Sequence, residues 1–333
     1  MNKTNQQMSY LGKHTAIAHV TPEIWSQIPY LKDNNGALPP FVLAVGDARR
    51  LQIACETLPL KNIVSLHSEV EKLVGLKGRG RVDLILATYE HEHKSVPLLL
   101  VETQMGMPAT EINLREVLAH CSQEYQIGDQ KLKTNGLFII RAGTAGGINT
   151  IDDTQPKLVV GDLINAQFSI GWSGALIESL AGLNFASPEV LFNFQKNWKK
   201  AGHSFTNDNK YPLGKSSDSV VTAISGSAKE LNLRCFEGGN FSKDSLYAEM
   251  NDEAFIKLRK RYNVMSTEME QIIVCKLMSD FALHNIILKT GMVSGVIGTI
   301  PGASFAKEYD EVEKNVLRVA ARALWKLGTQ GDS

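Results

Sequence analysis

The sequence predicts an α/β protein with a central mixed β-sheet flanked by helices. Apolar runs of strand length at 41–45, 96–101 and 137–140 each lead into a glycine-containing turn. Helical patterns follow the first two within a few residues, the alternation expected of a parallel or mixed sheet. The 333 residues are 43% hydrophobic and 21% charged, enough for a large core. No internal repeat or low-complexity linker divides the chain. Residues 41–330 therefore read as one domain behind an irregular N-terminal arm, 1–40, that ends at Pro39-Pro40.

Charge and cysteine usage exclude several classes. The 35 basic and 35 acidic residues give zero formal net charge, which argues against a nucleic-acid surface. Cys55, Cys121, Cys235 and Cys275 form no CxxC pair, so neither a zinc site nor a disulfide framework is expected. A reducing, cytoplasmic setting fits that usage. Residues 1–8 are polar, and no run of about 18 uncharged apolar residues suggests a membrane span.

The elements follow in order. After the strand at 41–45, Gly46-Asp47-Ala48-Arg49-Arg50 runs into a helical stretch at 51–55. Strand, glycine turn, basic pair and helix start make a plausible anion cradle, although taken alone the stretch is better explained as a plain βα turn with solvated arginines. Residues 82–89 read as a strand, and Glu90-His91-Glu92-His93-Lys94 as a solvated hairpin tip without a third metal ligand. The strand at 96–101 ends in Thr103-Gln104-Met105-Gly106-Met107-Pro108, and a helix is expected over 109–121. The strand at 137–140 passes into Arg141-Ala142-Gly143-Thr144-Ala145-Gly146-Gly147, read as a glycine-rich turn. Further strands are expected at 159–164 and, from their Ser, Thr and Val content, at 216–227. Residues 248–261 read as a charged surface helix. A second helix opens at Val264, with Thr267 and Glu270 at capping-box spacing. A strand over 286–297 and a last helix over 309–327, with Val312, Val316, Val319 and Leu324 on one stripe, complete the pattern.

Four of these stretches, in this order, resemble the hexameric nucleoside phosphorylase family of uridine and bacterial-type purine nucleoside phosphorylases. Gly46-Asp47-Ala48-Arg49-Arg50 is similar to its G-D-P-x-R loop, with Ala48 in place of proline. Gln104-Met105-Gly106-Met107-Pro108 is similar to its glycine-proline turn, and Arg141 to Gly147 to its R-x-G-[ST]-x-G-[GA] motif. Glu268-Met269-Glu270 matches its E-M-E motif. The resemblance covers about 41–327 and implies a three-layer fold.

What the resemblance implies is phosphorolysis of a nucleoside N-glycosidic bond, by a homo-oligomer, a dimer or hexamer. Nucleoside and inorganic phosphate are its partners, with no other cofactor and no metal. Gly46, Arg50, Arg141 and Thr144 would bind phosphate, with Arg81, or else Arg79, donated by a neighbouring subunit. Glu270, Met269 and an arm histidine, His19, would hold the ribose, and Arg141 and Glu270 are the catalytic candidates. Such residue types suit the chemistry, because a bound phosphate dianion stabilises an oxocarbenium-like sugar and a carboxylate orients its hydroxyls.

The base pocket departs from the family. The positions implied are Gly146, Leu246, Tyr247, Thr299 and Ile300. Thr299 and Ile300 stand where the purine branch has a proton-donating aspartate and the uridine branch an arginine close by. Leu246-Tyr247 replaces the uridine branch's F-Y pair, and the Gln and Arg that follow that pair are absent. The stretch Met292-Val293-Ser294-Gly295-Val296-Ile297 is similar to the uridine branch, so uridine-like substrates are favoured. A nucleosidase using water on a nucleoside or nucleotide, and a non-catalytic nucleoside- or phosphate-binding protein, remain as alternatives.

Overall fold

A computed structural model describes residues 22–74, 83–150, 155–174, 195–200, 202–245, 252–282, 284–302, 306–307 and 309–329. After a one-turn helix (Pro22–Trp25) and a 3-10 helix (Pro29–Asn34), the chain runs through strand β1 (Phe41–Val45), helix α1 (Ala48–Thr57), β2 (Leu60–Ser65), α2 (Leu66–Val74), β3 (Leu84–His91) and β4 (Lys94–Glu102). Helix α3 (Met107–Leu118), the hairpin β5 (Glu124–Ile127) and β6 (Gln130–Lys133), then β7 (Leu137–Ile148) and β8 (Leu163–Ile170) follow. The second half holds β9 (Ser204–Phe205), β10 (Pro212–Lys215), α4 (Asp218–Glu230), β11 (Cys235–Ser242), α5 (Asp252–Tyr262), β12 (Val264–Glu268), α6 (Gln271–Ala282), β13 (Leu288–Ile300) and α7 (Asp310–Thr329).

The main sheet runs β2-β3-β4-β1-β7-β12-β11-β8-β10-β9, with β13 paired to both β7 and β8. That double pairing closes β7, β12, β11, β8 and β13 into a ring, so the mixed sheet ends in a small barrel. Strand β1 lies parallel to β4 on one side and to β7 on the other. Its alternation is strict: Phe41, Leu43 and Val45 enter one core cluster, and Val42 and Ala44 the other. Helices α2, α3 and α6 cover the Val42 face, and α1, α4 and α7 cover the Leu43 face. Both faces are apolar, as a strand covered by helices on two sides requires.

Several expectations change. Strand β7 does not end at Ile140 in a turn; it runs on to Ile148, paired along its length by β13. The glycines there sit under side chains rather than at a bend, since a Cβ on Gly147 would lie 2.9 Å from Val296 and one on Gly143 2.5 Å from Arg141. Residues 216–227 hold no strand; Asp218–Glu230 is a helix. Val220, Ala223, Ile224, Ser227 and Ala228 are buried at helical spacing, and that stripe outweighs the β-propensity of its valines. Residues 264–268 form β12 instead of opening a helix, all five being buried between β11 and β7. Thr267 and Glu270 therefore form no capping box; the Glu268 carboxylate instead accepts the Glu270 and Gln271 amides at 2.7 and 3.0 Å.

Strand β8 starts at Leu163 rather than 159, and Val159 and Val160 are exposed. The stretch read as an irregular arm packs on the core from residue 24 onward, with Trp25, Ile28, Leu31 and Leu38 fully buried beside α3. The hairpin tip is a two-residue turn with Glu92 and His93 at φ 48° and 61°. Among the described residues no helix is long and apolar enough to cross a membrane, and no group of three or more His, Cys, Asp or Glu is placed to hold a metal.

Candidate active site

Strand β1 is where the chain changes direction across the sheet. Its neighbours β4 and β7 lie on opposite sides, and a crevice opens beyond such a strand's carboxyl end. Val45, its last residue, accepts from the Thr103 amide at 2.7 Å and the Thr103 hydroxyl at 3.0 Å. The chain leaves the sheet there through Gly46, while β7 continues past it along Gly143 and Thr144. Two helices, α1 and α3, begin at this edge. Asp47 caps α1 by accepting the Arg50 amide at 3.0 Å. Gly106, at φ 89°, precedes the first turn of α3, a left-handed conformation that suits glycine.

Two arginines flank the same step of β7. Arg50, on the first turn of α1, donates through Nη2 to the Thr144 hydroxyl at 3.0 Å. Its Nη1 lies 3.0 Å from where a Cβ of Gly46 would be, so Gly46 makes room for it. Arg141 projects from β7, with its side chain 4% exposed. Its guanidinium lies over Gly143, where a Cβ would stand 2.5 Å from Nη1.

Arg141 faces two buried carboxylates. Nη2 donates to Glu270 Oε2, and Nη1 lies 3.5 Å from Glu268 Oε2. The other Glu270 oxygen accepts from the Gly106 amide at 2.7 Å, placing a carboxylate at the start of α3 where the helix dipole favours it. Burial pushes the Glu270 carboxyl above the usual carboxylate range, against the opposing pull of Arg141. Beneath it, Glu268 accepts from Asn240 Nδ2 and Ser242 Oγ at 2.6 Å each, and Ser266 Oγ donates to Asn240 at 3.0 Å. This network ties the ends of β11 and β12 to the first turn of α6 and fixes the backbone that presents Glu270.

The structure thus gathers Gly46, Arg50, Arg141, Thr144 and Glu270 in one cluster beyond the end of β1, with Met269 half-buried next to Glu270. Gly146 lies further along β7, paired with Thr267 and Gly298, and half-buried Thr299 pairs with Gly147. Ile300 turns elsewhere: it is 2% exposed in a cluster with Ile148, Ile170, Phe255, Leu258 and Val264, so its side chain is committed to the core under α5. His19, Arg79, Arg81, Leu246 and Tyr247 lie outside the described residues.

Sequence reasoning missed Glu313, Glu268 and the Gly106 amide. Glu313 on α7 accepts Arg50 Nε and Arg49 Nη1 at 2.9 Å each, with its side chain 1% exposed. Its signal was present: an acidic residue stands within the apolar stripe of Val312, Val316 and Leu317. Glu268 sat in a motif, but its capping role needed the strand that replaced the expected helix.

The comparisons with known proteins fit this geometry. A family model described as the phosphorylase superfamily matches residues 41–327. No curated protein matches the sequence. Among solved structures, the purine nucleoside phosphorylase of Toxoplasma gondii in complex with immucillin-H is similar at a TM-score of 0.56 and 20% identity, over 88% of this chain and 93% of that one. At that identity the likeness is one of fold, and it matches the mixed sheet between helices. With the superfamily model spanning every motif at the crevice, from Gly46 to Glu313, the chain belongs to the phosphorylase superfamily, the family of the nucleoside phosphorylases.

Proposed function

We propose that the protein catalyses phosphorolysis of a nucleoside, giving free base and pentose 1-phosphate. The observation that carries the reading is the pair of guanidinium groups, Arg50 and Arg141, on either side of the Gly143-Thr144 step, with the Glu270 carboxylate against Arg141. Two fixed cations with a hydroxyl and a helix start between them suit a phosphate dianion.

In this reading Arg50, Arg141, Thr144 and the Gly46 backbone hold phosphate below the sugar. A phosphate oxygen bonds to C1′ as the bond from C1′ to the base nitrogen breaks, and the electron pair of that bond leaves with the base. The bound dianion stabilises the positive charge that grows on the sugar, and its orientation replaces a bimolecular encounter. Glu270 accepts from the ribose hydroxyls, aimed by the Gly106 amide, while Met269 packs on the ring. Phosphate is a co-substrate, and no other cofactor enters. Arg81 or Arg79 and His19 complete the site from a neighbouring subunit of a homo-oligomer. Uridine-like nucleosides are the favoured class, supported by the resemblance of Met292 to Ile297 to the uridine branch.

Release of free base from uridine, thymidine, inosine, adenosine and methylthioadenosine, with and without inorganic phosphate, tests the proposal. Cleavage that requires phosphate supports it and names the base; cleavage at the same rate without phosphate replaces it with a nucleosidase.

A further inference from the structure

We infer that Glu313 is a positioning residue for phosphate binding, holding Arg50 in the orientation that presents its outer edge to the anion. The inference rests on the phosphate-binding reading above. Arg50 is clamped at two points: Nε donates to Glu313 Oε1 at 2.9 Å and Nη2 to the Thr144 hydroxyl at 3.0 Å. Together these fix the plane of the guanidinium. Nη1 makes no hydrogen bond among the described residues and lies against Gly46, 3.0 Å from the point a Cβ would occupy and glycine leaves empty. The clamp therefore occupies Nε and Nη2 and leaves Nη1, beside Gly46, as the nitrogen available to an anion.

Anchoring α1 to α7 does not by itself call for a carboxylate. Glu313 is 2% exposed beside Val312, Val316 and Leu317, and an aliphatic residue there would pack without the cost of burying a charge. The second Glu313 oxygen accepts from Arg49 Nη1 at 2.9 Å, and Arg49 also pairs with exposed Asp310. Arg49 is half exposed, so water screens it, whereas the Arg50 side chain is 14% exposed. Asp47 also comes near, with Oδ2 3.5 Å from Arg50 Nε, but its partner oxygen already caps the helix. Among the described residues, only Glu313 combines a buried carboxylate with the correct edge of Arg50.

The test is calorimetric titration of inorganic phosphate into wild type, Glu313→Gln, Glu313→Asp and Arg49→Ala, with Arg50→Ala as the reference, alongside melting temperatures and nucleoside KM. Glutamine offers one acceptor oxygen where two arginines need one each. Glu313→Gln is expected to raise the phosphate Kd about tenfold, the scale of one charge-assisted hydrogen bond. Nucleoside KM should stay within about twofold, because the sugar contacts lie on Glu270. Glu313→Asp, which keeps the charge, should recover most of the affinity. Arg49→Ala removes the other half of the anchor and should leave phosphate Kd within about threefold, whatever it does to the melting temperature. Unchanged or tighter phosphate binding in Glu313→Gln, or an equal loss in Arg49→Ala, overturns the positioning role. Phosphate binding by Arg50→Ala at wild-type strength, or none by wild type, overturns the phosphate reading itself and this inference with it.

Discussion

Replacing Arg141 by methionine removes the cation that faces two buried carboxylates. The Arg141 and Glu270 side chains are each 4% exposed and that of Glu268 is 2% exposed, so no solvent replaces the lost guanidinium. Breaking a buried pair from one side costs about 3–5 kcal/mol, because the remaining charge is stranded. Unfolding entropy of about 2.1 cal/mol/K per residue, over the roughly 290 residues of the superfamily region, is about 0.6 kcal/mol/K. A loss of about 4 kcal/mol then lowers Tm by about 7 °C. The penalty also depends on pH with a definite sign. Burial already raises the Glu270 carboxyl above its unfolded value, and loss of Arg141 raises it further. The native variant then binds a proton that the unfolded chain releases, so its stability rises as pH falls through the raised value. The gap to wild type should be widest near pH 8 and narrower near pH 5.5, read by scanning calorimetry. Base release should fall about 10²–10³-fold, the scale of one preorganised charge-stabilising contact. A Tm within about 1 °C of wild type at both pH values would show that Glu270 does not depend on Arg141 for its burial.

Other consequences are read more simply. Gly143→Ala places a Cβ 2.5 Å from Arg141 Nη1, the far end of a flexible side chain. Because that guanidinium is paired with buried Glu270 and lies beside Glu268, its displacement should cost about 1–3 kcal/mol, less than removing it, while phosphate-dependent base release falls by about tenfold or more; equal activity would show that its present position is not needed. Gly171→Ala is the opposite case. With φ at +154° and a Cβ 2.0 Å from the Ser242 carbonyl oxygen, it should destabilise by more than about 3 kcal/mol in urea unfolding. Burial holds His120 and His203 down to about 4, against about 6.5 in the unfolded chain. The unfolded chain takes up protons first on acidification, so stability should fall between about pH 6.5 and 4, by up to about 1.4 kcal/mol per pH unit for each histidine. Urea midpoints at several pH values should show a shallower decline in a His120→Gln, His203→Gln variant.

Several side chains that the structure brings together could be picked out of the sequence because their chemistry is local. Gly46 to Arg50 and Arg141 to Thr144 each carry a charge and a glycine within a few residues; the first follows the end of β1, and the second lies within β7 beside that end. The elements that misled were those whose state is decided by distant partners. Strand β12 forms because β11 and β7 flank it, although its sequence allows a capping box. Strand β7 stays extended through three glycines because β13 pairs with it to Ile148. Closure of the barrel by β13 had no local signature at all. At residue 300 the resemblance implies a base-pocket position, whereas the isoleucine side chain fills the cluster under α5. The partner of Arg50, Glu313, lies 263 residues away, beyond any spacing rule.

Whether phosphate is the nucleophile can be read from ³¹P NMR of the protein incubated with inorganic phosphate and uridine, with inosine in a parallel sample. If it is, a new pentose 1-phosphate resonance grows as inorganic phosphate declines and free base appears in equal amount. Free base with unesterified pentose, and a constant phosphate signal, would contradict it.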